Sequence, residues 1–104
     1  MPRVAFKMKL FKGCEEEYKR RHDALWAELV TLLKQTGIKD YSIFLDETTN
    51  DLFGYLTVDN AKKLDDLPHE PIMQKWWAYM KDIMETNADN SPVTISLKEA
   101  FYLP

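Results

Sequence analysis

An α+β fold built on one four-stranded antiparallel sheet, with helices on one face of it, is what the 104-residue sequence predicts. Two observations carry this. Segments with apolar residues at every second position are interleaved with stretches of helical spacing, and they follow one another as strand, helix, strand, strand, helix, strand. Clusters of Gly, Pro, Asn and Asp fall between them as punctuation.

Taken in order, Arg3–Phe11 sets Val4, Phe6, Met8 and Leu10 against Ala5, Lys7 and Lys9, a strand with one buried face. Gly13 breaks the pattern, and Glu15, Glu16 and Glu17 then put negative charge where the dipole of a helix start favours it. The spacing predicts one uninterrupted helix from Glu15 to about Lys34, with Tyr18, His22, Leu25, Leu29 and Leu32 on a single face. Lys19, Arg20 and Arg21, each four residues after an acid, form its solvated side. Gly37 is the expected left-handed terminator.

Tyr41, Ile43 and Leu45 alternate with Ser42, Phe44 and Asp46, which predicts a second strand. A turn at Thr48–Asp51 leads into a third strand, Leu52–Val58, apolar on both faces. Asn60–Leu67 reads as a short helix stopped by Pro68, and Pro71 suits the first position of the next one, where no backbone donor is needed. From Ile72, the residues Met73, Trp76, Trp77, Met80, Ile83 and Met84 recur at helical spacing. The run Asn87–Pro92 is a loop by composition, and Val93–Leu103 closes the chain as a fourth strand.

This order is the split βαβ arrangement of the ferredoxin-like fold, expected as a single domain over residues 1–104. The sheet face away from the helices would be bare, yet it carries Phe and Tyr side chains from the third and fourth strands. A homodimer that covers this face, a dimeric α+β barrel, is therefore expected.

Composition narrows the function. Fourteen basic residues against seventeen acidic ones, a net charge of −3, leave no electrostatic footprint for nucleic acid or an anionic membrane. The single cysteine, Cys14, suits a reducing, cytoplasmic compartment and excludes an internal disulfide or a thiol metal centre. No apolar run is long enough to cross a membrane. Phosphate-binding glycine loops, nucleophile elbows and metal-spaced His/Asp/Glu sets are missing, so no metal or cofactor is expected.

Five residues remain as candidates for chemistry. His22 interrupts an apolar stripe with a group that titrates near neutral pH and both gives and accepts a proton. A structural histidine with a satisfied hydrogen bond explains the same position. Tyr18, one turn earlier, offers a hydroxyl beside it or a core aromatic. Trp76 and Trp77 point about 100° apart on a helix, so that one can pack while the other lines a cavity with a flat face suited to a sugar. Tyr41 is a further pocket candidate. His69, between two prolines, reads as exposed, and Asp89 and Asn90 as turn formers.

Several stretches are similar to one known family. EEYKRRH at Glu16–His22, Trp26, YSIFLD at Tyr41–Asp46, QKWWAYM at Gln74–Met80, DNSP at Asp89–Pro92 and the terminal FYLP stand in the same order and without gaps. On these the chain resembles the L-rhamnose mutarotase family over essentially its whole length. The resemblance implies a ferredoxin-like homodimer that interconverts the α and β anomers of L-rhamnopyranose without a cofactor. It implies His22 as the proton donor and Tyr18, Tyr41, Trp76 and Trp77 as the residues that bind the sugar. Phe11–Lys12–Gly13 stands where the family has a more polar, proline-containing turn, and Ala61–Pro71 is a variable segment. Ring opening needs a proton to reach the ring oxygen while one leaves the anomeric hydroxyl, and a protonated His22 would supply the first. A tyrosine, a carboxylate such as Asp89, or water would serve as its partner. Two alternatives share the fold: a haem- or quinone-directed monooxygenase, and a non-catalytic sugar-binding dimer.

Overall fold

The computed structural model describes all residues, Met1–Pro104. Strand β1 (Arg3–Lys9) is followed by helices α1 (Glu15–Asp23) and α2 (Ala27–Gln35), then β2 (Ile38–Leu45) and β3 (Asp51–Val58). A 3₁₀ segment (Ala61–His69), helix α3 (Pro71–Met80) and strand β4 (Ile95–Leu97) complete the chain. The strands are antiparallel in the order β2-β3-β1-β4, the arrangement the sequence predicts. Pairing of Val4 with Leu56, Phe6 with Gly54 and Met8 with Leu52 lines these residues up on the face that carries the helices.

Several boundaries differ from expectation, and Pro68, expected to stop the short helix before α3, lies inside the 3₁₀ segment. The long first helix is two helices, separated at Ala24–Trp26, where Trp26 is extended with φ −59° and ψ 134°. No Gly or Pro stands there. The break is imposed from outside, because the extended Trp26 places its indole edge-on to Trp76 at 5.1 Å and stacks it on Tyr79 at 5.5 Å. Asp23 at the end of α1 also opposes continuation, since a carboxylate meets the negative end of the dipole there.

Strand β2 begins at Ile38, earlier than the alternation from Tyr41 shows, and a β-bulge explains why. Lys39 pairs with Thr57 and Ser42 with Tyr55, so Asp40 and Tyr41 share one position opposite Leu56. The extra residue, Asp40, takes φ 52°. It resets the alternation, and Ile38 can therefore face inward together with Tyr41, Ile43 and Leu45.

Helix α3 ends at Met80, short of Met84. Ile83 and Met84 are still buried, Met84 through an isolated bridge to Leu10. Strand β4 is three residues long rather than eleven. Beyond it the chain folds over the outer sheet face, where Arg3 pairs with Glu99 at 2.7 Å and lies 3.5 Å from the Tyr102 ring centre.

The apolar interior forms two clusters. Nine residues, among them Leu10, Tyr18, Leu29, Leu52, Trp76 and Met80, form the larger, and Ile38, Leu56 and Val58 the smaller. Phe6 and Leu33 touch both. Only 14 of the 104 residues are buried, because sheet and helices enclose open space as well as core.

Candidate active site

That space is a cavity of about 940 Å³ between the inner sheet face and the helices. All five candidates, Tyr18, His22, Tyr41, Trp76 and Trp77, line it. Helix α1 supplies the first two one turn apart, the bulge in β2 aims the third, and α3 carries the tryptophans.

His22 is fixed on three sides. Its Nδ1 lies 2.9 Å from the Tyr18 carbonyl oxygen; a carbonyl only accepts, so Nδ1 carries the proton and donates it. The Tyr18 ring stacks on the imidazole at 4.2 Å and the Trp76 indole stands edge-on at 5.4 Å. Burial pushes the His22 pKa below the ordinary value, against smaller upward pulls from the Tyr18 carbonyl and Asp23. The resting imidazole is thus neutral near pH 7, with Nε2 a free acceptor. Desolvation is the reason the neutral ring is favoured.

Tyr18 is buried, and loss of solvent, with a smaller push from the nearby Tyr41 phenol, raises its pKa. Tyr41 keeps 39% of its surface, but its hydroxyl lies inside the cavity, where burial pushes the pKa up to about 12. Both phenols are therefore proton-bearing donors. The Phe6 ring supports Tyr41 edge-on at 6.2 Å and covers Gly54, where a Cβ would collide with that ring. Trp76 is buried among Trp26, Tyr79 and His22, while Trp77 is half-buried, the division of labour the helical spacing suggests.

Other expectations fare differently. Asp89 does not line the cavity; its carboxylate accepts from the Ser91 backbone N–H at 3.0 Å, and the rim there comes from Pro92 and Thr94. His69 is exposed, as its prolines suggest. Arg21 is the clear correction: expected on the solvated side of the helix, it is 8% exposed. Lys19 and Arg20 do remain outside. Relative to Tyr18, Arg21 sits about −60° around the helix and His22 about +40°, so the spacing itself already carried that signal. Trp26 and Phe6, which hold Trp76 and Tyr41 in place, had no polar feature to single them out.

Neutral imidazole, two phenol donors and flat indoles around a cavity suit a small hydroxylated ring and proton movement along its edge. Comparison with known proteins agrees. A family model described as L-rhamnose mutarotase matches residues 3–103. The L-rhamnose mutarotase of Sinorhizobium fredii is 59% identical, with 99% of each chain covered. That of Brucella anthropi is 57% identical over 98% of this chain and 96% of its own. The crystal structure of L-rhamnose mutarotase from Formosa agariphila superposes with a TM-score of 0.94 at 52% identity, covering all of both chains. By sequence along its whole length and by fold, the chain belongs to the L-rhamnose mutarotase family.

Proposed function

We propose that this protein interconverts the α and β anomers of L-rhamnopyranose, with His22 as the proton-transfer group and Tyr18, Tyr41, Trp76 and Trp77 binding the sugar. The observation that supports the assignment of His22 is its hydrogen bond from Nδ1 to the Tyr18 carbonyl, which leaves Nε2 as the ring nitrogen available to act as a base on a sugar in the cavity that His22 lines. Nε2 takes the proton of the anomeric hydroxyl. As the C1=O bond forms, the bond from C1 to the ring oxygen breaks, and the imidazolium returns the proton to that oxygen. Both oxygens are bonded to C1, so one imidazole reaches each in turn. Rotation about C1–C2 presents the other carbonyl face, and the same steps reversed close the ring as the other anomer. His22 is then both base and proton donor, and no separate carboxylate is required.

The hydroxyls of Tyr18 and Tyr41 stay protonated and donate to sugar oxygens, and the exposed flank of Trp77 takes an apolar C–H face. We take the working unit to be a homodimer formed through the outer sheet face. The reaction needs neither metal nor cofactor, and the lone cysteine fits a cytoplasmic setting.

Saturation-difference NMR of anomer exchange on L-rhamnose tests this. His22→Ala is expected to slow exchange by ~100-fold to 10,000-fold with binding largely kept, and Trp77→Ala to weaken sugar binding mainly. Exchange at wild-type speed in His22→Ala would sink the assignment.

A further inference from the structure

We propose that Arg21 is a positioning residue for His22, a single guanidinium that locks helix α1 onto the end of α3 and so holds the imidazole against the Trp76 indole. The proposal rests on the reading of His22 as the proton-transfer group.

Its basis is the set of bonds one side chain makes. Nη1 donates to the Tyr79 carbonyl at 2.7 Å and to Asp82 Oδ1 at 2.9 Å, and Nη2 donates to Asp82 Oδ2 at 3.2 Å. Nε donates to Glu17 Oε2, on the same helix one turn back, at 2.7 Å. The guanidinium carbon also lies 4.3 Å from the centre of the Tyr79 ring. Each partner is specific to a place. Glu17 belongs to α1, Tyr79 offers a last-turn carbonyl of α3, and Asp82 stands in the turn just beyond. A cation at a helix C-terminus is favourable in itself, and this one also binds a carboxylate through two nitrogens.

The consequence reaches His22 by two short routes. Arg21 is its chain neighbour, so fixing the guanidinium fixes the rotation of α1 about its axis. On the α3 side, Tyr79 packs against Trp26 and Trp76, and Trp76 meets the imidazole edge-on at 5.4 Å. Helix α1 is only nine residues long and ends at the break before Trp26, so it has no continuous α2 to hold its angle. The fork supplies that restraint from outside. A lysine would keep the charge but reaches one partner at a time from a flexible stem.

Arg21→Lys is the informative variant, with L-rhamnose as the probe. Turnover at saturating sugar should fall about 10- to 100-fold, as expected of a misplaced acid/base group, with the dissociation constant almost unchanged. The imidazole resonance of His22 should titrate nearer the ordinary histidine midpoint, since a loosened helix admits water. In Arg21→Ala, added guanidinium should restore turnover in a saturable way, and sodium chloride at equal ionic strength should not. Asp82→Asn, which weakens the fork without emptying it, should show the same changes in smaller measure and decides the matter if neither Arg21 variant folds. Wild-type turnover, or an unshifted His22 midpoint, in a folded Arg21→Lys would overturn the proposal. The NMR midpoint needs no catalysis, so it still reports on Arg21 if His22→Ala shows that the imidazole is not the proton carrier.

Discussion

At His22 the environment decides the direction of the first proton transfer. Burial favours the neutral ring, and Asp23 opposes this only weakly. Glu15, Glu16 and Lys19 border the cavity on the same helix, and the facing phenols of Tyr18 and Tyr41 stay uncharged up to strongly alkaline pH. The enzyme-dependent exchange rate should therefore be flat from neutral pH to about 9 and fall on the acid side, with a midpoint below the ordinary histidine value of about 6.5. A rate profile over that range, corrected for uncatalysed mutarotation, checks this; a midpoint well above 6.5 would mean that the protonated ring is the working form. Stability follows the same sign. The folded pKa is depressed, so the unfolded chain takes up the proton first, and the contribution of His22 to stability is lost as pH falls through about 6.5. The candidate residues themselves were legible in the sequence because polar groups inside apolar stripes stand out. Arg21 was not, since three consecutive cations look like one solvated face until their angles around the helix are compared.

Among the elements, the β-bulge in β2 does most to build the site. In a regular strand Ile38 and Tyr41, three positions apart, would face opposite sides of the sheet, and the bulge at Asp40 is what lets both face inward. Deleting Asp40 leaves them two positions apart, so an unbulged strand keeps both inside and loses a non-glycine residue at positive φ. The deletion variant should therefore keep its stability and bind L-rhamnose. Denaturant melts and L-rhamnose titrations check this, and a deletion that abolishes sugar binding in a folded protein would show that the bulge shapes the site beyond correcting the alternation. Local pattern shows such elements only in part. The alternation from Tyr41 to Asp46 is plain, but the bulge before it leaves no mark except a non-glycine at positive φ. The break between α1 and α2 was equally hidden, because an indole packing on α3 causes it and no residue in Ala24–Trp26 disfavours a helix strongly. The fourth strand was overextended because its apolar residues alternate, but backbone pairing with β1 stops at Leu97, and the tail beyond is held by side chains instead, Arg3 bonding Glu99 and lying over the Tyr102 ring.

For the whole molecule, surface area is the telling quantity. The chain exposes 7105 Å², whereas a compact monomer of 12.3 kDa exposes about 6,100 Å². The excess of about 1,000 Å² has two visible sources, the open cavity and the outer face of the sheet. That face presents Phe44 at 65% exposure, Ile95 at 55% and Phe101 at 80%, with Tyr55 near its middle, opposite Ala5 in the β1–β3 pairing. A specific interface hides roughly 800 Å² on each partner, so a second copy seated on this face, as the proposed homodimer requires, would hide an area comparable to the excess. Two-fold pairing suits it, because Tyr55 lies near the centre and would meet or neighbour its own counterpart across an axis there. Light scattering should accordingly give twice 12.3 kDa at working concentration. Tyr55→Asp sets two carboxylates close together in a desolvated centre, and should shift the species to 12.3 kDa without disturbing the inner face, which Tyr55 does not reach. Near-UV circular dichroism and L-rhamnose binding by that variant show whether the cavity survives in the monomer. A wild-type species of 12.3 kDa at every concentration would refute the dimer, and the exposed aromatic face would then need another partner.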